Sequence, residues 1–373
     1  KDIPDNKMHE ALDAGEIAAA ASRGQSANQL RIFRDQKHFY GIRCPFHAYA
    51  DGASVIVNQA DRGSPILAGI CYKLMEKLAH CFSVIYITPP GSQTARVHSD
   101  DQDVFIAQLW GKKVWSVYKP LVHLPYTPEQ VGKDTPLTQE EVDKLELIEE
   151  FTLNAGDILY MPRGLLHQAR TLPEHSSCHI TFTVPTSDFA HGALMGSYLG
   201  SMLQSPDLDP AVNLFCRSAL SPWRDDNERN EDSERDLKNA FETIFKKVGY
   251  ASMKQHFKKR MSLQFKSQKE SFVELMHSVP DVELVLLSCS IRTRPGISCQ
   301  TAPIEKRQVS FQRAAGDRLV MSIFPSALPF FKSLEKNDHQ FVKLSSIPMQ
   351  DSFELICICY VLLEKQCVQV MHA

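Results

Sequence analysis

No stretch of about 18 consecutive apolar residues occurs in the 373-residue chain, so a membrane-spanning helix is not expected. Paired cysteine spacing is missing as well. Ten cysteines are scattered with no C-x-x-C and no regular framework, and several sit in apolar runs such as LICICYVLL. That excludes a disulfide-stapled scaffold and a structural zinc site, and points to reduced, buried thiols in an intracellular protein. Charge of one sign is not in excess: the net charge is −3, which gives no global pull toward nucleic acid or an anionic membrane. The N-terminal KDIPDNKMHEALDAGEIAAAAS lacks the charged-then-apolar order of a signal peptide. It also lacks an initiating Met, and a fragment or trimmed chain is expected. Internal repeats and low-complexity tracts are lacking, and no Ser-His-Asp or Cys-His arrangement stands out. Cys178 beside His179 reads as a buried thiol.

What is present is ordinary globular composition, 43% hydrophobic and 23% charged, over a length that suits two or three domains. Residues 1–30 read as a polar, Ala-rich tail or frayed helix. Short strands are expected at Gln29–Phe33, Phe39–Ile42 and Ala53–Asn58. Ser64-Pro65 opens a helix, since Pro suits the first turn, with Ile66, Ile70, Leu74 and Leu78 at helical spacing. Ser83–Thr88 is a β-branched run ended by Pro89-Pro90-Gly91. Strands are expected at Val104–Leu109 and Val114–Tyr118 with a Lys-Lys turn between them, and again at Glu150–Leu153, Asp157–Met161 and His179–Val184. Thr138-Gln139-Glu140-Glu141 is a capping-box pattern.

Many short strands with Gly/Pro turns and few helices suggest a double-sheet jelly roll over 31–188. From 189 to 275 the texture turns helical, with apolar stripes able to close a dimer, a charged run at Arg224–Asp236, and a basic face of Lys254, Lys258, Lys259 and Arg260. That face reads as solvated, with RNA or ribosome contact left open. Residues 276–373, with VELVLLSCSI read as a strand, suggest a small winged-helix-like module.

The chemistry centres on Tyr86–Lys113 and on LNAGDILYMPRGLLHQA, Leu153–Ala169. Alternate residues of an extended chain share a face, so His98 and Asp100 project together. Alone, H-x-D is three common residues in a loop. With His167 in the second block, two neutral imidazoles and one carboxylate leave open positions on a metal, a set that suits non-haem iron(II) and oxygen chemistry. Lys113 follows on a strand beside Trp115, and a buried Lys is costly unless it meets an anion. In HITFTV, His179, Thr181 and Thr183 share one face, and Tyr86 and Thr88 alternate likewise. Such polar inward faces suit the grip of a small dianion.

The H-x-D pair, the strand FIAQLWGKKVWSVYKP, the L-x-x-GD-x-LY-x-PRG-x-x-H-Q-A block and YITPPGSQ together resemble the JmjC-type 2-oxoglutarate oxygenases, and among them the ribosomal oxygenases. The resemblance is strongest over 83–188 and returns near FPSALPFF and FVKLSSIP. It implies a cupin-like JmjC double-stranded β-helix, a helical dimerisation domain and a C-terminal winged helix in an α+β multidomain chain. It implies Fe(II) on His98, Asp100 and His167, with 2-oxoglutarate and O2 as cosubstrates. Lys113 would take the distal carboxylate of 2-oxoglutarate, Tyr86, Thr181 or Thr183 would complete the pocket, and His179 would stand just behind the metal. The implied reaction hydroxylates a His or Arg side chain of a ribosomal protein, with succinate and CO2 as coproducts, in a homodimeric nuclear or nucleolar enzyme if the source is eukaryotic. Alternatives are demethylation of a histone-tail lysine by the same chemistry, or a catalytically silent jelly-roll binding module. The chain departs from the family pattern at Ser99, where the family carries Tyr, at Val84, a position expected to face the pocket, and at Trp110.

Overall fold

The computed structural model describes residues 12–205, 207–217, 227–278, 287–302, 308–313, 316–337, 339–349 and 351–372. They fall into two compact units, one made of residues up to Val184 together with Gln268 onward, the other of Pro185–Ser267.

The first unit opens with helix α1, Ala14–Ser26, capped by the Asp13 side chain accepting from the Glu16 amide at 2.9 Å. Of the two readings of this segment, tail or frayed helix, a helix forms from Ala14 onward, and it is buried instead of frayed. Ile17, Ala18, Ala20 and Ala21 are fully buried, because small side chains let this helix approach the sheet closely. Residues 1–11 lie outside the described residues. Strands β1 (Leu30–Arg34), β2 (Lys37–His38) and β3 (Ser54–Val57) enclose a short helix α2 (Pro45–Ala50). The strand expected at Phe39–Ile42 is not formed; only Lys37 and His38 pair with β1. Helix α3, Pro65–Met75, starts where the Ser64-Pro65 signal puts it, with Ser64 Oγ accepting from the Leu67 amide.

Next come β4 (Phe82–Thr88), β5 (His98–Ser99), β6 (Asp103–Tyr118), a helix α4 (Gln139–Asp143) capped by Thr138, and β7 (Leu147–Asn154), β8 (Ile158–Met161), β9 (Leu166–Thr171) and β10 (Ser177–Val184). The ten strands run β2-β1-β3-β4-β10-β6-β9-β5, with β7 and β8 also on β6. The pairings around the site are antiparallel. This curled antiparallel arrangement is a double-stranded β-helix.

Strand β6 makes the curl. Its first half pairs with β10 and β8, its second half with β9 and β7. The expected Lys-Lys turn is thus corrected: Asp103–Tyr118 is one sixteen-residue strand that bends instead of ending. The bend sits where Leu109 is skipped in the pairing with β10 and Gly111 takes φ +68°. A bulge with Gly in the left-handed region turns a strand without breaking it.

Helices α1, α2 and α3 cover the outer face of the β3-β4-β10 region over a core of Phe46, Tyr49, Val55, Ile85, Ile87 and Ile180. A smaller core of Val104, Ile106, Trp115, Val117, Leu153 and Met161 fills the barrel beside the site. The same unit carries β11 (Ser290–Thr293), β12 (Ile297–Thr301), β13 (Gln308–Arg313) and β14 (Arg318–Ser322), and further on β15 (Val342–Lys343) and β16 (Val368–Met371). These form two three-stranded sheets around their own core. The strand read at VELVLLSCSI lies outside the described residues up to 286; Ser290 onward is strand. One C-terminal helix, Ser352–Glu364, faces both cores: Phe353, Ile356 and Cys357 join the first, Leu355, Ile358 and Cys359 the second. Because it is buried on almost every side, its sequence is apolar all round.

The second unit is helical, with His191–Leu203, Pro210–Arg217, Asn227–Phe245 and the start of Tyr250–Ser278. It closes on a core of Leu208, Val212, Ala240 and Ile244. Residues 224–226 of the charged run lie outside the described residues.

A Cβ at Gly111 would stand 1.8 Å from the Ser176 carbonyl oxygen, a backbone atom that cannot swing aside. Gly111→Ala should lower stability by about 1–3 kcal/mol or more, from left-handed strain plus the clash. Urea denaturation measures it, and an unchanged midpoint would remove Gly111 from its role in bending β6.

Candidate metal centre

Two imidazoles meet because two strands pair. In the β5–β9 ladder His98 stands directly opposite His167, and their ring centroids are 4.5 Å apart. Asp100 follows two residues later, where β5 has already ended. Its position is fixed from the other block: the Gly164 amide donates to the Asp100 carbonyl at 2.8 Å, and the Arg163 amide to Asp103 Oδ1 at 2.7 Å. The P-R-G turn, with Gly164 at φ +92°, therefore clasps the D-D-x-D segment and brings His167 to it.

One donor atom from each of His98, Asp100 and His167 lies within 4.8 Å of the others. Each histidine Nδ1 faces a carbonyl two residues before it in the chain, Arg96 O at 2.8 Å and Leu165 O at 3.1 Å. A carbonyl only accepts, so Nδ1 must carry the hydrogen and Nε2 is left with its lone pair. His167 Nε2 lies 3.6 Å from Asp100 Oδ2. Burial, helped by the charge of the neighbouring imidazole, pushes His98 down to about 3, and burial also lowers His167. Burial alone would raise the Asp100 carboxyl. The Lys133 ammonium and the two imidazoles outweigh it and hold the group well below the usual carboxylate range. Two neutral imidazoles and one ionised carboxylate with fixed tautomers are a donor set that fits a divalent first-row metal.

The donors line a cavity of about 510 Å³. Deeper in its wall is Lys113, on β6, with 2% of its surface exposed. Its Nζ donates to Thr88 Oγ1 at 3.0 Å. A relay of hydroxyls continues from Thr88 to Thr94 at 3.3 Å and from Thr94 to Ser54 at 3.1 Å. Burial pushes the Lys113 ammonium down to about 7. Tyr86 and His179 stack at 4.7 Å and both line the cavity, as does Thr181. Burial raises Tyr86 to about 12 and lowers His179 strongly, the Lys113 charge adding to the latter. His179 Nδ1 is buried with no protein partner among the described residues, an orphan that a bound cosubstrate or water would satisfy.

Of the residues singled out from sequence, His98, Asp100, His167, Lys113, Tyr86, His179 and Thr181 come together. Thr183 does not line the cavity. It shares the face of Thr181, but lies one pleat farther along β10, opposite Val104 and Phe82. Val84 likewise shares the face of Tyr86 yet falls outside the cavity wall. Sequence reasoning missed Thr94, Arg96 and Lys133, which come from loops without periodicity. Only the proximity of Thr94 and Arg96 to His98 could have flagged them.

Comparison with known proteins gives a partial match. A family model of the JmjC domain matches residues 67–191, about a third of the chain. Among curated relatives, the bifunctional lysine-specific demethylase and histidyl-hydroxylase NO66 of Drosophila willistoni is 34% identical over 187 residues, covering 47% of this chain and 22% of that protein. The protein of the same name from Dictyostelium discoideum is 42% identical over 120 residues, 32% of this chain and 22% of that one. Ribosomal oxygenase 1 of Gallus gallus is 33% identical over 174 residues, 40% and 28% respectively. The matches thus span roughly a quarter of each relative's length. Among solved structures, the ribosomal oxygenase YcfD of Escherichia coli with cobalt and 2-oxoglutarate aligns over 95% of this chain and 89% of its own, at 14% identity and a TM-score of 0.40. Among the described residues no helix is long and apolar enough to cross a membrane.

Lys113 gives a pH signature. With the folded group near 7 and the unfolded one near 10.5, the unfolded chain binds more protons between those values, so stability rises with pH across that window. Below pH 7 the full cost of burying the cation is present. Lys113→Met should therefore be more stable than wild type at pH 6–7, with a gap that narrows toward pH 10. Urea midpoints measured against pH test this, and a constant gap would show that Lys113 is not buried without a counter-ion.

Proposed function

We propose that this chain is an Fe(II)- and 2-oxoglutarate-dependent protein hydroxylase, acting on an uncharged side chain, with histidine of a ribosomal protein as the favoured target. The convergence of one carboxylate and two tautomer-fixed imidazoles carries the reading. His98, Asp100 and His167 would hold the metal. Iron(II), bound there with 2-oxoglutarate, supplies the activation of dioxygen that couples loss of CO2 to insertion of oxygen into a C–H bond.

The chain's own groups do the rest. Lys113 offers a buried cation, with no counter-ion beside it among the described residues of the cavity wall, to the far carboxylate of the cosubstrate. Thr88 and Thr94 hold that ammonium in place, and Thr181, Tyr86 and the orphaned His179 Nδ1 offer further polar contacts. Trp115, Val104, Ile106 and Ala169 keep the wall apolar and exclude water from the reacting end. A silent binding module has no use for a buried cation above an intact donor set.

The charges of the wall bear on the substrate. Among the described residues, four cations line the cavity, Lys37, Arg96, Lys113 and Lys133, against one carboxylate, Asp100. A divalent metal and a dianionic cosubstrate cancel, so the excess of positive charge persists in the loaded state. That opposes entry of a methylated ammonium or a guanidinium and favours hydroxylation of neutral histidine over lysine demethylation or arginine oxidation. The helical unit exposes Leu237, Phe241 and Phe245 at four-residue steps, an apolar stripe suited to pairing two copies of the chain.

His98→Ala should lose succinate formation with a ribosomal-protein fraction, while wild type adds one oxygen to a target peptide without releasing formaldehyde. Mass spectrometry and a formaldehyde assay decide, and formaldehyde release from a methyl-lysine peptide would reverse the preference. Lys113→Ala should weaken 2-oxoglutarate by about 10- to 100-fold, the worth of a charge-assisted pair, and should abolish a proton uptake that accompanies cosubstrate binding to wild type near pH 8 as Lys113 becomes charged. Calorimetry in buffers of different ionisation heat reads both, and a buffer-independent heat in wild type would assign the carboxylate to another residue.

A further inference from the structure

Asp100 does not present both oxygens to the imidazoles. Its Oδ1 accepts from Lys133 Nζ at 2.6 Å, while its Oδ2 is the oxygen 3.6 Å from His167 Nε2. We propose that Lys133 is a positioning residue that holds one oxygen of Asp100 aside, so that the carboxylate serves the metal through a single oxygen. This rests on the metal reading of the site given above.

The loop that delivers Lys133 is built for the purpose. Ser99, between the two donors of the H-x-D pair, donates its amide to the Val131 carbonyl at 2.9 Å, and its hydroxyl accepts from the Val131 amide at 3.0 Å. Gly132 has φ +75°, and a Cβ there would stand 2.3 Å from the Val97 carbonyl oxygen. The backbone of the loop therefore lies flat against the strand that carries His98, and only Gly permits the approach. Earlier in the same loop, Thr127 Oγ1 donates to Asp101 Oδ2 at 2.6 Å. Residues 127–132 are stitched to 97–101 by contacts that use no donor atom of the three metal-binding side chains. Lys133 comes next in the chain, so the stitching sets where its backbone stands, and the 2.6 Å contact with Asp100 Oδ1 sets its ammonium.

The consequence is selectivity. A smaller ion with stronger geometric preference, such as Co(II), favours one oxygen from a carboxylate, whereas a larger, less directional ion, such as Mn(II), accepts two more readily. Removing the ammonium does two separable things. Loss of the charge raises the affinity for every divalent ion alike. Release of Oδ1 changes the preference between a smaller and a larger ion. The ratio of affinities reports positioning, and the absolute affinities report charge.

The test is titration of the full chain with Mn(II), followed by the electron paramagnetic resonance signal of the free ion, and displacement by Co(II). In Lys133→Met the preference for Co(II) over Mn(II) should fall by about 10-fold, in the range found when groups that orient metal ligands are lost. Lys133→Arg, which can still donate to Oδ1, should return it toward wild type. Ser99→Ala, which removes an anchor of the loop while keeping Lys133, should shift it in the same direction by less, and covers the case in which Lys133→Met does not fold. A uniform rise in both affinities with the ratio unchanged in Lys133→Met and Ser99→Ala would make Lys133 a mere competing charge and overturn the proposal. Failure of wild type to bind either ion would instead remove the metal site itself, and the proposal with it.

Discussion

One rung of antiparallel pairing underlies the whole site: His98 opposite His167. Ring centroids 4.5 Å apart, with His167 buried, would be a liability for two groups that can each become cationic. The fold removes the liability by fixing both tautomers through nearby carbonyls of the same chain segments, Arg96 and Leu165. It then supplies Asp100 as the nearby anion. Burial that depresses the histidines and cations that depress the aspartate act in the same direction, toward neutral nitrogen and ionised oxygen. That is the protonation state a metal requires, reached before any metal arrives.

The two lysines of the cavity differ in how their charge is met. Lys133, on the exposed side of the cavity, has Asp100 as partner, and that pairing raises its proton affinity. Lys113 has a hydroxyl, and its proton affinity falls. A protein gains nothing in stability from an ammonium buried against threonine. The arrangement makes sense only if an anion completes it, and the proposed place of the cosubstrate's far carboxylate is therefore at Lys113 and not at Lys133. The gap between the two sets the polarity of the cavity: metal donors and rim at one side, an unmet cation in the depth.

Much of this was legible in the residues, for identifiable reasons. The N-caps Ser64 and Thr138 carry their hydrogen-bond geometry in the sequence, and both helices begin where those signals stand. His98, Asp100, His167 and Lys113 were legible because strand alternation and motif spacing both pointed to them. The buried helix at Ala14–Ser26 was not, since a run of alanines reads as weakly amphipathic whether it lies in water or against a sheet. The bend of β6 was misread as a turn because Gly-Lys-Lys looks the same in either; only the register with β10 separates them. Thr183 was included because two-residue periodicity tells which face a side chain shares, not how far along the strand the cavity extends. Lys133 and Thr94 had no period to betray them, since loop residues reach the site through tertiary contacts alone.

Ser99 ties these observations together. At the place where the family pattern has an aromatic residue, this chain has a small hydroxyl that is buried and bonded to the loop at Val131. A tyrosine could not occupy that space while the loop backbone lies within bonding distance of the strand. The substitution, the glycine at 132 and the lysine at 133 are therefore one feature, a loop drawn down onto β5. Such a loop narrows the rim and adds a cation next to the metal donors. The departure from the family pattern at position 99 thus bears less on whether the donors assemble than on the setting of the carboxylate and the charge that an incoming side chain meets.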